Sequence, residues 1–361
     1  MPFFSYRDIA ITAMTTAVPK QRITAESYKP LYGEEAVDRF VEMTGIREFH
    51  RCAERQTASD LGYVAAERLI REKNLDRNRI NALAFVSHTA DYRRPATACV
   101  LHRRLGLTKE CAALDIGLGC SGGIYGIQAV SSMMLNSDID CALLIVAETP
   151  SKVICDKDQS ISMMVGDAGS ALLFERKEGA EINALLRTDG NGYRSIIVPA
   201  GGFRNMNAPR EVALWSDGNE RTLHNIFMNG TDVFSFSISD VPKAIKDFMS
   251  KTETGVEDYD CFALHQANGF IHKQLSKKLK IPMNKIPVSL DRYGNTSAPA
   301  VPLTLCDAYG DVKGQRIKTL MCGFGVGLSW GVASTELSTD DIYGIEETDD
   351  WFEEGYITAP L

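Results

Sequence analysis

No stretch of this 361-residue chain approaches the roughly 20 consecutive apolar residues that a membrane-spanning helix needs. The opening MPFFSYRDIA lacks a basic segment leading into a long apolar run, so we expect no secretory leader, no membrane partner and a cytoplasmic location. No C-x-x-C occurs among the nine cysteines at 52, 99, 111, 120, 141, 155, 261, 306 and 322, and their number is odd. This argues against a disulfide framework and for reduced thiols, most of them packed as small hydrophobes. HRC at 50–52 has no second half at ligand spacing, so no metal is expected. Basic excess is also missing: the net charge is −8. Of the 47 acidic residues, nine fall after residue 335, where there is no Lys or Arg, which leaves 38 acids against 39 bases in the body. The acidity belongs to a tail, and nothing suggests a nucleic-acid surface.

What is present is an ordinary globular composition, 44% hydrophobic and 24% charged, long enough for one large domain or two medium ones. Short β-branched apolar runs predict strands at 9–14, 82–88, 112–117, 141–148 and 169–175, and again at 181–187, 259–266, 317–324 and 327–335. Helical patterns cover 57–73, 96–105, 121–135, 225–236, 240–252, 267–280 and 299–309. Continuous apolar strands between helices imply an α/β fold with a sheet covered on both faces. Residues 80–107 and 259–281 both read as strand, polar turn and helix, ending LGL and LKI. The echo suggests two similar halves, 1–180 and 181–337, joined near 176–185, with 338–361 as an acidic extension.

ALDIGLGCSGGIYGIQAV (113–130) places Cys120 on a turn between a strand and a helix. Unpaired N–H groups at the helix start favour a thiolate there, the logic of a nucleophile elbow; the plain alternative is a packed cysteine. GLGCSG also fits the glycine fingerprint of a dinucleotide site. That reading makes the chain a nicotinamide or flavin oxidoreductase, and it needs an acid about 20 residues on to hold the ribose. Glu148 comes later than that.

A nucleophile needs partners. ALHQAN puts His265 at a strand end, where it can move a proton or donate a hydrogen bond, and GNTSA puts the Asn295 amide in a turn before a helix. CGFGVGLSWG (322–331) is a glycine turn suited to presenting a backbone N–H. His50, His88, His102, His224 and His272 read as structural, and SKKLK (276–280) as a solvated face.

With MTGIREFHR (43–51) and VGDAGSALL (165–173), these stretches resemble the β-ketoacyl-acyl carrier protein synthase III family of the thiolase-like superfamily over residues 8–336. The resemblance implies two duplicated halves forming a five-layered αβαβα core. It implies that Cys120, His265 and Asn295 are catalytic, and that the N–H groups of Cys120 and Val326 bind an oxyanion. An acyl thioester primer loads Cys120, and a malonyl thioester then condenses with loss of carbon dioxide. Coenzyme A or a carrier-protein phosphopantetheine carries the substrates, with no cofactor or metal. The partners implied are acyl-CoA or acyl-carrier protein, malonyl-carrier protein and a second copy in a homodimer, with strand 141–148 near the shared seam.

Three features depart from the family. Arg39 or Phe40, and Gln159, stand where the coenzyme A adenine is usually clamped. Arg94 replaces an aromatic that closes the acyl pocket across the dimer, and points to a polar or acidic primer or to water. Phe270 replaces a carrier-docking arginine, leaving Lys273, Lys277 and Lys278 on the same helix as candidates for that role. The tail is disordered, or buries Tyr343, Trp351, Phe352 and Tyr356 on the body or a partner. Alternatives are transfer of the Cys120 acyl group to an alcohol or amine, a non-condensing binding subunit, and the oxidoreductase.

Overall fold

Apolar runs without alternation need cover on both faces, and helices supply it here. In the computed structural model, which describes residues 2–359, nine strands form one continuous sheet. They are β1 (Phe3–Pro19), β2 (Ala82–Val86), β3 (Ala112–Ile116), β4 (Cys141–Glu148), β5 (Ala168–Thr188), β6 (Cys261–Leu264), β7 (Arg316–Gly325), β8 (Ser329–Ser338) and β9 (Ile342–Thr348). The order is β6-β7-β8-β5-β4-β2-β3; β1 lies antiparallel to β5, and β9 lies parallel to β1.

The sheet bends once and so acts as two. The first part of β5 opposes β4, from Glu148↔Ala168 to Cys141↔Glu175, and its last part opposes β8, from Asn183↔Ser334 to Thr188↔Ser329. β1 follows the same bend. Its register slips between Arg7 and Ile9, where Asp8 has φ 60° and accepts a 2.8 Å hydrogen bond from the N–H of Gly179, itself at φ 75°.

The helices are α1 (Glu34–Thr44), α2 (Ala58–Glu72), α3 (Thr97–Arg104), α4 (Gly122–Met134), α5 (Gly230–Lys251), α6 (Gly269–Leu279) and α7 (Ala300–Tyr309). Leu83, Phe85, Leu143 and Ile145 face an outer core with Leu69 of α2 and Leu101 of α3. Their neighbours Ala84, Val86, Leu144 and Val146 face a central core with Ile124 and Ile127 of α4 and Val301 and Leu305 of α7. On the far side Leu264, Leu320 and Val332 pack on Ile245 of α5 and Leu275 of α6. Alternate side chains of each strand thus enter different layers, and both are apolar. The result is the five-layered αβαβα arrangement of a thiolase-like fold. Among the described residues, no helix is long and apolar enough to cross a membrane.

Several sequence expectations change. The strands expected at 169–175 and 181–187 are one, because the chain bends between them without leaving the ladder. The helices expected at 225–236 and 240–252 are one helix starting at Gly230, with Asn229 as its cap. Pro242 sits inside it without breaking it. Proline has no N–H for the carbonyl of Ile238, and Lys278 Nζ of α6 donates to that carbonyl instead, at 2.7 Å. Strand 141–148 is buried between β2 and β5 rather than at an edge; the edge strands of the sheet are β3, β6 and β9.

The tail packs on its own body. β9 extends the sheet, and the Phe352 ring lies 4.4 Å from the Arg104 guanidinium while its N–H bonds Asp60 Oδ1 at 2.8 Å. Asp60 also caps α2 at Thr57 and pairs with Arg104 of α3 at 2.9 Å, so one buried carboxylate ties two helices and the tail together.

Candidate active site

Cys120 stands at the mouth of α4, just past the end of β3. Gly325, at the end of β7, has φ 155°; a Cβ there would lie 2.7 Å from Cys120 Cβ and 2.9 Å from its sulfur, so only glycine leaves the sulfur room. The backbone N–H groups of Val326 and of Cys120 itself face the sulfur, and Ser297 Oγ lies 3.8 Å from it. The expectation of a resting thiolate is corrected here. Burial pushes the Cys120 thiol up, and these hydrogen bonds only partly oppose it, so the resting group is a thiol.

HQAN divides its work. The His265 N–H bonds Cys322 O at 2.8 Å, which holds the residue at the end of β6 beside β7. Its ring meets Phe324 edge-on at 5.4 Å, and His272 Nε2 contacts its carbonyl at 3.0 Å. Burial lowers the imidazole pKa to about 4, so the ring is neutral at ordinary pH. Gln266 bonds Leu264 O and the Ser289 N–H, a brace between segments, and Asn268 caps α6 through the Ile271 N–H. Phe270 is exposed and stacks on Phe234.

Asn295 is held by main chain: its N–H bonds Met164 O at 2.8 Å, and its carbonyl accepts from the Gly166 N–H at 3.1 Å. Its Oδ1 accepts from the Ser297 N–H at 3.0 Å, which leaves the Nδ2 hydrogens for other acceptors. The close approach requires Gly294, at φ 63°, whose added Cβ would lie 2.6 Å from Met164 O. VGDAGSALL and GNTSA are therefore two sides of one contact.

Cys120 opens onto two cavities. One, of about 270 Å³, is also lined by His265, Asn295, Phe324, Phe234 and Met164. The other, of about 470 Å³, is walled by Pro150, Val153, Ile196, Val198, Ala200 and Ile226. His88, Glu148, Ser297 and Val326 also line it, near Cys120. A larger crevice of about 590 Å³ at the β1–β5 bend contains none of these groups. The remaining candidates lie elsewhere. Arg94 is exposed and lines neither cavity within its own chain. Lys273, Lys277 and Lys278 are exposed along α6. Arg39 pairs with Glu35 at 2.6 Å on α1, and Gln159 is exposed, its N–H bonded to the Asn219 side chain. Sequence reading missed Glu148 and Ser297 as site residues, though a carboxyl closing the apolar run CALLIVAE and a serine inside GNTSA were both visible.

Five layers and a cysteine at a helix mouth between two cavities define a thiolase-like, acyl-transferring condensing enzyme. Residues 114–190 match the profile of 3-oxoacyl-[acyl-carrier-protein] synthase III, and residues 249–337 match that of its C-terminal part. The chain belongs to the β-ketoacyl-acyl carrier protein synthase III family. It is 35% identical to the β-ketoacyl-[acyl-carrier-protein] synthase III of Caldanaerobacter subterraneus, over 80% of this chain and 85% of that one. It is 32% identical to the corresponding enzyme of Symbiobacterium thermophilum, over 90% and 97%. The crystal structure of a 3-oxoacyl-(acyl-carrier protein) synthase from Burkholderia xenovorans superposes with a TM-score of 0.90 at 32% identity, covering 96% of this chain and 99% of that one.

Proposed function

We propose that this condensing enzyme loads an acyl primer on Cys120 and extends it with a malonyl thioester, with His265 and Asn295 handling the malonyl group. The observation that carries the reading is the placement of Cys120 between an apolar cavity and a second cavity holding an imidazole and a carboxamide. The primer's acyl chain occupies the apolar cavity, and its carbonyl oxygen lies between the Cys120 and Val326 N–H groups as the sulfur attacks. The pantetheine thiol leaves. The malonyl thioester then enters the smaller cavity, where neutral His265 and Asn295 Nδ2 donate hydrogen bonds to its thioester oxygen. Those bonds strengthen as carbon dioxide departs and the oxygen gains enolate charge. The carbanion attacks the acyl carbon and frees the sulfur. No step needs a metal or nicotinamide.

The departures favour a carrier-borne primer over coenzyme A. Arg39 is engaged on its own helix, and Phe270 and Phe234 form an apolar stack at the rim where a cation usually stands. Lys273, Lys277 and Lys278 supply positive charge along α6 for an acidic carrier protein. Incubation with matched acyl-CoA and acyl-carrier primers, followed by weighing of the protein and analysis of products with and without malonyl thioester, tests this. We expect a Cys120 adduct, a condensed product only when malonyl is present, and a carrier-dependent rate that falls with salt. A clean mass with every primer sinks the assignment. Acyl transfer to an added alcohol or amine, with no malonyl product, favours the acyltransferase alternative.

Homodimerisation is supported by β3, an edge strand with half-buried Leu114 and Ile116 and one unpaired row of backbone groups. Pairing with a second copy covers it and brings the exposed Arg94 turn toward the neighbouring molecule. Sedimentation is expected to give twice the chain mass; a monomer at micromolar concentration counts against this.

A further inference from the structure

Glu148 closes a strand in which every other residue is apolar apart from a cysteine, and it is 2% exposed. Among the described residues no ion pair reaches it. Its Oε1 accepts from the His88 N–H at 3.1 Å and its Oε2 from the Thr89 hydroxyl at 2.9 Å. The Ser297 hydroxyl lies 3.5 Å from Oε1 on one side and 3.8 Å from the Cys120 sulfur on the other. An uncompensated carboxyl is costly in a core, and this one lines the apolar cavity beside the reacting sulfur. We propose that Glu148, acting through the Ser297 hydroxyl, accepts the Cys120 proton as the sulfur attacks the acyl thioester. The inference rests on Cys120 being the acylated residue and adds the base that reading lacks.

The step balances. The Cys120 S–H bond breaks and its proton passes to Ser297 Oγ, while the hydroxyl proton of Ser297 passes to the Glu148 carboxylate. The sulfur electrons form the new C–S bond, and the old C–S bond breaks toward the pantetheine sulfur. Glu148 returns the proton through Ser297 to that leaving thiolate, which departs as a thiol. Both links are long at rest, as relay contacts often are before substrate tightens them. Burial raises Glu148 to about 8, near the range of a thiol, whereas His265 at about 4 is a far weaker base and serves as a donor. The titratable groups facing Glu148 are Cys120, which is itself held as a thiol, the His88 residue, whose N–H it accepts and whose ring burial keeps neutral, and Asp167. Asp167 is buried and bonded to the Cys52 and Ser151 N–H groups.

The test is the rate of Cys120 acylation by an acyl thioester, followed by mass from pH 6 to 10. A raised carboxyl accepts protons only once it ionises, so the wild-type rate is expected to climb with a midpoint near pH 8 and to level off above about pH 9. Glu148→Gln keeps one acceptor for the His88 N–H and turns an amide donor toward the Thr89 hydroxyl, which can rotate to accept, but it cannot take a proton. Its rate at pH 8 is expected to fall about 100-fold and to keep rising toward pH 10. Ser297→Gly removes the middle hydroxyl and suits the φ of 62° at that position; it should show the same displaced profile and decides the matter alone if the glutamine variant does not fold. A profile in either variant that matches wild type, or drops in parallel with the same midpoint, overturns the relay. Failure of the wild-type protein to acylate at all strikes instead at the reading of Cys120.

Discussion

Cys120→Ala is expected to take up no acyl mass from any primer and to lose condensation by about 10⁴-fold or more, because the step replaced is covalent and no neighbouring group substitutes for the sulfur. The argument is local. The two N–H groups and Gly325 are arranged around one sulfur, and the other cysteines line neither cavity. Decarboxylation of malonyl thioester should survive in this variant within a few-fold, since the imidazole and carboxamide stay in place. Intact-mass measurement reads the first outcome and carbon dioxide release the second. An adduct of undiminished amount on another cysteine would remove Cys120 from the mechanism.

His265→Ala is expected to show the reverse pattern. The acyl adduct on Cys120 forms at close to the wild-type rate, while malonyl decarboxylation falls about 10²–10³-fold, the usual cost of removing one preorganised donor to an oxyanion. The pH dependence supplies a second check. Burial lowers the imidazole to about 4, so the neutral ring that donates one hydrogen bond is fully present above pH 5 and is lost only as pH falls through 4. Wild-type decarboxylation should therefore run level from pH 5 to 8. A fall with a midpoint near 6.5 shows that the ring titrates as an exposed histidine, and unimpaired decarboxylation in the variant ends its assigned role.

Much of this site was legible in the letters. GLGC marked a sharp turn before a helix, and HQAN and GNTSA marked polar groups at the ends of apolar runs. What the letters concealed was partnership across distance. Glu148, Ser297 and Cys120 are separated by 28 residues or more, and no periodicity links them. The protonation of Cys120 was misjudged for a related reason: the helix mouth is a local feature, whereas the burial that outweighs it comes from the folded chain as a whole. The break expected between helices 225–236 and 240–252 is absent, although Pro242 removes a backbone donor within the single helix. Lys278 on a different helix binds the carbonyl that the proline leaves without a donor.

The sequence by itself determined an α/β fold with a covered sheet, since strands apolar on both faces need helices on either side; the five αβαβα layers were implied only by the family resemblance. It also determined which three polar side chains stand at strand and helix ends near glycines. Only the tertiary structure decided that β4 is central and β3 an edge, that the tail lies on its own body, and that Cys120 divides two cavities of different chemistry. Those outcomes depend on contacts between segments far apart in the chain, where close packing and desolvation act, and neither is encoded in local residue spacing.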